Sequence, residues 1–212
     1  MTDLAEPTTA LSKRTASWAS TLASGVLGGA ALGIAARAWM RLIAEDPEFT
    51  WGGTMFIVGG FTVFGVAQAV ASLGRGRAQR TAVRRAARVV GVVGMLPLFV
   101  AAGGVMLPTV VGGGFALART EWPKAARIAC LAVAAVPIVF ASSGIVGDFG
   151  WSLQTIAGVV LLLALYGTIV CAARLTFALP PTGHGLKRWV TIVGLVVVIL
   201  PVAFMTVGIA RS

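Results

Sequence analysis

Acidic residues are scarce. Asp and Glu together number seven in 212 residues, against 17 Lys and Arg. Charge of either sign makes up 11% of the chain, whereas a soluble domain carries about 25%. A water-facing globule could not be coated with so little charge. The few acids form no series along any predicted span, so a relay of buried carboxylates is excluded. Histidine occurs once, as His184 in the turn "LPPTGHGLKRW", where prolines and glycines mark a loop. Metal centres need three or four clustered ligands, so none is expected. The two cysteines, Cys130 and Cys171, fall inside predicted helices without a CxxC spacing. They read as free thiols packed in apolar surroundings. There is no P-loop, GxSxG or HExxH pattern, and no lipidation signal. No catalytic residue and no cofactor are assigned.

What the chain has is hydrophobicity, at 58%, and 27 glycines. Six apolar stretches run over about 16–40, 53–73, 89–118, 125–144, 154–173 and 189–210. Each has the ~20 residues that a helix needs to cross ~30 Å of hydrocarbon. They are continuously apolar rather than alternating, which selects helices over a closed barrel. The expected fold is all-α: a polytopic transmembrane helical bundle of five or six spans. Residues 1–15 form a cytoplasmic N-terminal tail, and 16–212 form a single transmembrane domain. The run after Lys13 and Arg14 exceeds the 7–15 residues of a signal-peptide core, so it reads as an uncleaved first span.

Charge sets the expected orientation. Lys13 and Arg14 place the N-terminus in the cytoplasm, in a cell inner (plasma) membrane. "GRGRAQRTAVRRAAR", residues 74–88, carries six arginines and reads as cytoplasmic. It is expected to hold anionic headgroups at ~1 kcal/mol per arginine. The +10 net charge is thus explained by the membrane, and nucleic acid is not a partner.

Segment 89–118 is either kinked or re-entrant. As a single crossing it leaves nine basic residues inside and eight outside, which is no bias. As a turn-back it leaves fourteen inside and three outside. Gly103-Gly104 lies between Pro97 and Pro108, with Gly112-Gly113-Gly114 beyond, so the residues permit a turn. A long, tilted, proline-kinked helix is the alternative.

Polar residues concentrate in "RAWMRLIAEDPEFTW", at the outer end of the first span. Arg37, Arg41, Glu45, Asp46 and Glu48 are a candidate anion or ion-pair cluster. Arg41 and Glu45 are four apart, and Pro47 disfavours helix before it. The other reading makes the arginines anchors to lipid phosphate, with Trp39 and Trp51 at the headgroups. Trp151 is a third interfacial anchor, in "DFGW", which echoes "EFTW" exactly one hundred residues earlier in number. Both turns are expected at the same interface. Laying 48–112 on 148–212 gives eight identities, a chance level for this composition, so no duplication is built on it. Gly25, Gly29 and Gly33 repeat at four-residue steps, a helix-packing ridge for the second span or for a second copy.

"RAWMRLIAEDPEFTWGGTMFIVGG" together with "GGVMLPTVVGGGFAL" resembles uncharacterised multi-pass integral membrane proteins of high-GC actinobacteria. The resemblance implies class and source, and brings no activity with it. The residues favour a non-enzymatic protein, a helix-packing partner or regulatory membrane subunit, as a homo-oligomer or with another membrane protein. One alternative is a small transporter or channel-like protein with an anion or carboxylate site at Arg37 and Arg41. A membrane enzyme on a lipid-linked substrate is the third, with Glu45, Asp46, Glu48 or Asp148 as the available acid or base.

Overall fold

The computed structural model describes residues 6–44, 49–77, 81–102 and 104–178. The expected span 189–210 and His184 lie outside the described residues. Every regular element among the described residues is a helix: α1 (Glu6–Leu42), α2 (Trp51–Arg77), α3 (Thr81–Val93), α4 (Leu96–Ala101), α5 (Leu107–Ala118), α6 (Lys124–Phe149) and α7 (Leu153–Phe177). Four of them, in α1, α2, α6 and α7, are long and apolar enough to cross a membrane, which makes this a helical membrane protein.

Helix α1 lies along α2, and glycine sets how closely. A Cβ on Gly25 would meet the Gly65 carbonyl at 2.8 Å and Ala69 at 2.7 Å. One on Gly29 would come within 2.5 Å of the Phe61 carbonyl, and one on Gly33 within 2.7 Å of the Val58 Cα. Gly65 returns the contact against the backbone of Gly25 and Gly29. The ridge Gly25, Gly29, Gly33 therefore packs within the chain, backbone against backbone, as small residues allow. The order of contacts also makes the two helices antiparallel.

Segment 89–118 turns back. Helices α3 and α4 run antiparallel to α2: Gly74 faces Ala87, Gly94 faces Ala67, and Gly60 faces Pro97 and Ala101. Gly60 lies about 25 Å along the axis from the end of α2 at 1.5 Å per residue. The chain then reverses at Gly104, whose φ of +77° is natural only for glycine. Its N–H donates to the Phe99 carbonyl at 2.7 Å. Helix α5 then runs back toward the starting end, with Gly114 against Phe177 at the end of α7 and Arg119 within electrostatic reach of Arg88.

The prolines and glycines of this segment have different roles from a simple kink. Pro97 and Pro108 sit in the first turns of α4 and α5, where a missing N–H is harmless. The Gly112-Gly113-Gly114 run is helical. A Cβ on Gly112 would meet the Cys130 carbonyl at 2.8 Å, and one on Gly113 would meet Val170 at 2.8 Å. These glycines admit α6 and α7 to close contact. Residues Pro108–Ala116 are all buried as a result. Backbone that turns at membrane depth is tolerated when protein covers it, and this hairpin is covered by α2, α6 and α7.

The core gathers Phe61, Phe64, Met95, Leu98, Val110, Leu162, Leu165 and Ile169 from α2, the hairpin and α7. Polar groups inside it are matched. Gln68 accepts from the Thr176 hydroxyl at 2.7 Å and donates to the Gly91 carbonyl at 3.3 Å, tying α2, α7 and α3 together. Thr109 donates to the Ala134 carbonyl at 2.8 Å, three residues before the buried Pro137 of α6. Pro137 has no N–H for the Val133 carbonyl and loosens this turn of α6, and the Thr109 hydroxyl adds a donor at the adjacent carbonyl. Cys130 and Cys171 are free thiols, but Cys171 is exposed on α7 rather than packed inside. In a membrane bundle an apolar thiol can face lipid as readily as core.

Candidate functional site

The bundle presents two ends. At one lie the end of α1, the start of α2, and the α6–α7 turn: the Trp39 indole N–H donates to the Gly158 carbonyl at 2.8 Å, and Gln154 donates to the Leu42 carbonyl at 2.6 Å. At the other lie the ends of α2, α5 and α7 and the starts of α3 and α6. The two aromatic turns share the first end, as their sequences suggested. Trp51 and Trp151 are both exposed there, Trp151 to 84%.

Arg37 and Arg41 belong to this aromatic end. Arg37 is half-buried, and its Nε donates to Thr54 Oγ1 at 3.3 Å. Arg41 is exposed, with its guanidinium carbon 5.3 Å from the centre of the Phe49 ring. Phe49 in turn meets Trp51 edge to face at 4.9 Å. Such a cation over an exposed ring contributes ~0.5–1 kcal/mol. Glu45, Asp46 and Glu48 lie outside the described residues. Helix α1 ends at Leu42. Trp39, unlike Trp51 and Trp151, packs against the core cluster.

The opposite end holds the arginines of 74–88 that were expected to hold anionic headgroups. Residues 81–93 of that segment are a strongly amphipathic helix. Arg85 is exposed, while Arg84 and Arg88, one turn apart, are half-buried on another face. Arg88 Nη2 donates to the Ala178 carbonyl at 2.6 Å, just past the end of α7. Arg127 Nε does the same for α5, donating to the Ala116 carbonyl at 3.1 Å. Cations at helix C-termini meet the partial negative charge of the unpaired carbonyls.

Arg119 is the most enclosed of them. It is the residue that ends α5, and it is only 3% exposed. Its Nη1 lies 3.6 Å from Glu121 Oε1. Its guanidinium carbon sits 5.8 Å from the centre of the Phe115 ring. That ring stacks on Trp122 at 5.8 Å and leans on Phe177 at 4.6 Å. Burial disfavours the charged form of Arg119, Glu121 favours it, and Arg88 again opposes it. Arg88 is likewise pushed down by burial and by Arg84. Arg75 feels the charges of both Arg88 and Arg174. Three side-chain nitrogens, Nε of Arg84, Arg88 and Arg119, are buried with no hydrogen-bond partner among the described residues.

Sequence reasoning missed Arg119 because it looked like one of three basic residues in a short loop. Its signal was faint: an arginine directly after a glycine-rich, largely apolar helix, two residues before Glu121. Two other features complete the survey. An apolar groove of about 530 Å³ runs between α2 and α3, lined by Val63, Val66, Ala67, Val89, Val90 and Val93 among others. No group of three or more His, Cys, Asp or Glu able to hold a metal occurs among the described residues. No protein-family model, curated protein or solved structure matches the chain.

Proposed function

We propose that this chain is a multi-pass plasma-membrane protein whose N-terminus and arginine-rich end face the cytoplasm, and that it works as a non-enzymatic membrane subunit. Orientation rests on charge. Arg75, Arg77, Arg84, Arg85, Arg88, Arg119, Lys124, Arg127 and Arg174 gather at one end, against Arg37 and Arg41 at the other. Short loops rich in Lys and Arg stay on the cytoplasmic side. There the outward-facing Arg85 and its neighbours in 74–88 meet anionic headgroups.

One observation carries the functional reading: the re-entrant hairpin is filled in, with Pro108–Ala116 buried and the glycines of α5 in close contact with α6 and α7. A hairpin that lined a water-filled path would leave one face open. This one is used as packing, which suits a subunit presenting rigid helices to a partner. The exposed apolar side chains of α1 and α6 offer the faces for that partner, a second copy or another membrane protein.

The transporter reading has one observation in its favour. Two helix ends meet at the hairpin tip, about 25 Å from the arginine-rich end, and broken helices at depth often frame substrate sites. Proteoliposomes separate the two. The subunit reading expects anion flux no greater than in empty liposomes, and native mass spectrometry from lipid discs showing a defined stoichiometric assembly. A monomer that carries anions across the bilayer would overturn it. Single cysteines in place of Lys124 and Trp151 should label from the inside and the outside respectively. The reverse pattern would invert the proposed orientation.

A further inference from the structure

We propose that Arg88 and Arg119 together form a binding site for a phosphate group at the arginine-rich end, with Arg84 at its edge. The proposal rests on the orientation argued above, because it is the cytoplasmic leaflet that would present such groups as lipid headgroups. It goes beyond general attraction of the 74–88 segment to anionic lipid, since the site is built from both arms of the hairpin.

The first argument is charge. Burial disfavours the charge on Arg88 and on Arg119, a neighbouring arginine adds to this in each case, and Glu121 is the acid that offsets it at Arg119. The rest of the chain has little to add. Ala44 and Phe49, which flank Glu45, Asp46 and Glu48, belong to the aromatic end, as does Asp148 near the end of α6. Residues 179–212 contain no Asp or Glu. Only Asp3 and Glu6 remain. Enclosed cations that outnumber their counter-charge, as here with Glu121 beside Arg119, are costly, and an added anion offsets that cost.

The second argument is hydrogen bonding. Arg119 is more than nine-tenths buried, and its Nε has no partner among the described residues. The same holds for Nε of Arg88 and of Arg84. Buried polar groups without partners are rare, and each calls for an unseen ion or water. The helix ends do not meet this need. Arg88 reaches the Ala178 carbonyl through Nη2, and the end of α5 is already met by Arg127.

The third argument is shape. A guanidinium presents its Nε and one Nη as a fork that matches two phosphate oxygens. The planar stack of Phe115 and Trp122, with Phe177 beside it, fixes the Arg119 side from below. Arg88 and Arg119 come from different elements within electrostatic reach of each other, and a tetrahedral anion offers oxygens to both where a planar carboxylate offers two in one plane. Either a phospholipid headgroup or free phosphate supplies that chemistry.

The test uses the full chain in nanodiscs of phosphatidylcholine, with or without phosphatidylglycerol, and with or without inorganic phosphate. Native mass spectrometry and thermal unfolding are the readouts. A phospholipid source predicts retained phosphatidylglycerol and a higher melting temperature in discs that contain it. A free-phosphate source predicts the same rise from inorganic phosphate in phosphatidylcholine alone. Arg119→Gln and Arg88→Gln should each weaken the effect roughly tenfold, as expected for loss of a charge-assisted pair. Arg119→Lys keeps the charge and should recover only part, because the fork is gone. Arg85→Gln removes one exposed headgroup contact, so it should cost clearly less than Arg119→Gln in phosphatidylglycerol and nothing of the response to inorganic phosphate in phosphatidylcholine. Equal losses in Arg85→Gln and Arg119→Gln would overturn the site while leaving general headgroup attraction standing. No response of the unmodified protein to either phosphate source would also overturn it, whatever the variants do. Outside labelling at Lys124 would instead bring down the orientation and leave the site's own readouts interpretable.

Discussion

The two ends of this bundle use the same residue in opposite ways. At the aromatic end, Arg41 lies over Phe49 in the open and Arg37 donates to Thr54, so each guanidinium has a neutral neighbour among the described residues. At the arginine-rich end, guanidinium faces guanidinium, and three buried nitrogens lack partners. The first arrangement uses an aromatic ring and a hydroxyl. The second, on the proposal above, takes an anion. The difference shows that an arginine's role in a membrane protein follows from what encloses it, and this is set by helix packing rather than by local sequence.

Packing should therefore be the most sensitive point of the contrast. Gly112 holds α5 against the Cys130 carbonyl, and a Cβ there would stand 2.8 Å from a backbone atom that cannot swing aside. Gly112→Val should destabilise the fold by about 3 kcal/mol, at the upper end of typical overpacking losses. It should also release Arg119 from its enclosure. Gly52, at the aromatic end, has nothing within 4 Å. Gly52→Val should change stability by no more than about 0.5 kcal/mol. Thermal unfolding in detergent measures both. Equal losses at the two glycines would erase the distinction between a packed end and an open one.

A smaller effect probes the polar tie beneath the arginines. Gln68 and Thr176 are each 4% exposed and bond to one another. Gln68→Leu removes that bond and the one to Gly91, leaving a hydroxyl and a carbonyl to find other partners. Interhelical bonds in membranes average ~0.6 kcal/mol each, so about 1 kcal/mol should be lost. Hydrogen exchange should rise in α3 and the end of α7 and stay unchanged near Trp39. A uniform rise would mean that the two ends unfold as one unit.

Much of this fold was legible in the sequence. Continuous hydrophobicity marked the long helices, and the Gly25, Gly29, Gly33 ridge marked a face that α2 does occupy. The distribution of arginines pointed toward a turn-back at 89–118, since only that gathers Arg119, Lys124 and Arg127 beside Arg75 and Arg88. Other features were hidden for physical reasons. A glycine run can mean a turn or a close approach, and Gly104 and Gly112 show one of each within a single segment. Hydropathy says nothing of burial within a membrane, where lipid and core are equally apolar, so Thr109 and Thr176 gave no sign of being interior. The arginine site was least legible of all. Arg88 and Arg119 are separated by a whole hairpin, and only the tertiary fold brings them within reach of each other.

The smallest effect completes the contrast between the ends. Arg41 is exposed and touches Phe49 through its charge, in a setting that water or headgroups can replace. Arg41→Gln should alter thermal stability by ~0.5–1 kcal/mol at most, the range of an exposed cation–π contact. The change should be the same in phosphatidylcholine and in phosphatidylglycerol discs, because among the described residues the aromatic ring is its partner. Arg119→Gln should behave differently in the two lipids if its site takes a headgroup: in neutral lipid it relieves repulsion from Arg88, and in anionic lipid it removes a ligand. A lipid-dependent response at Arg41 would mean that it too holds a phosphate, and the aromatic end would then be a second anion site rather than a counterexample to the first.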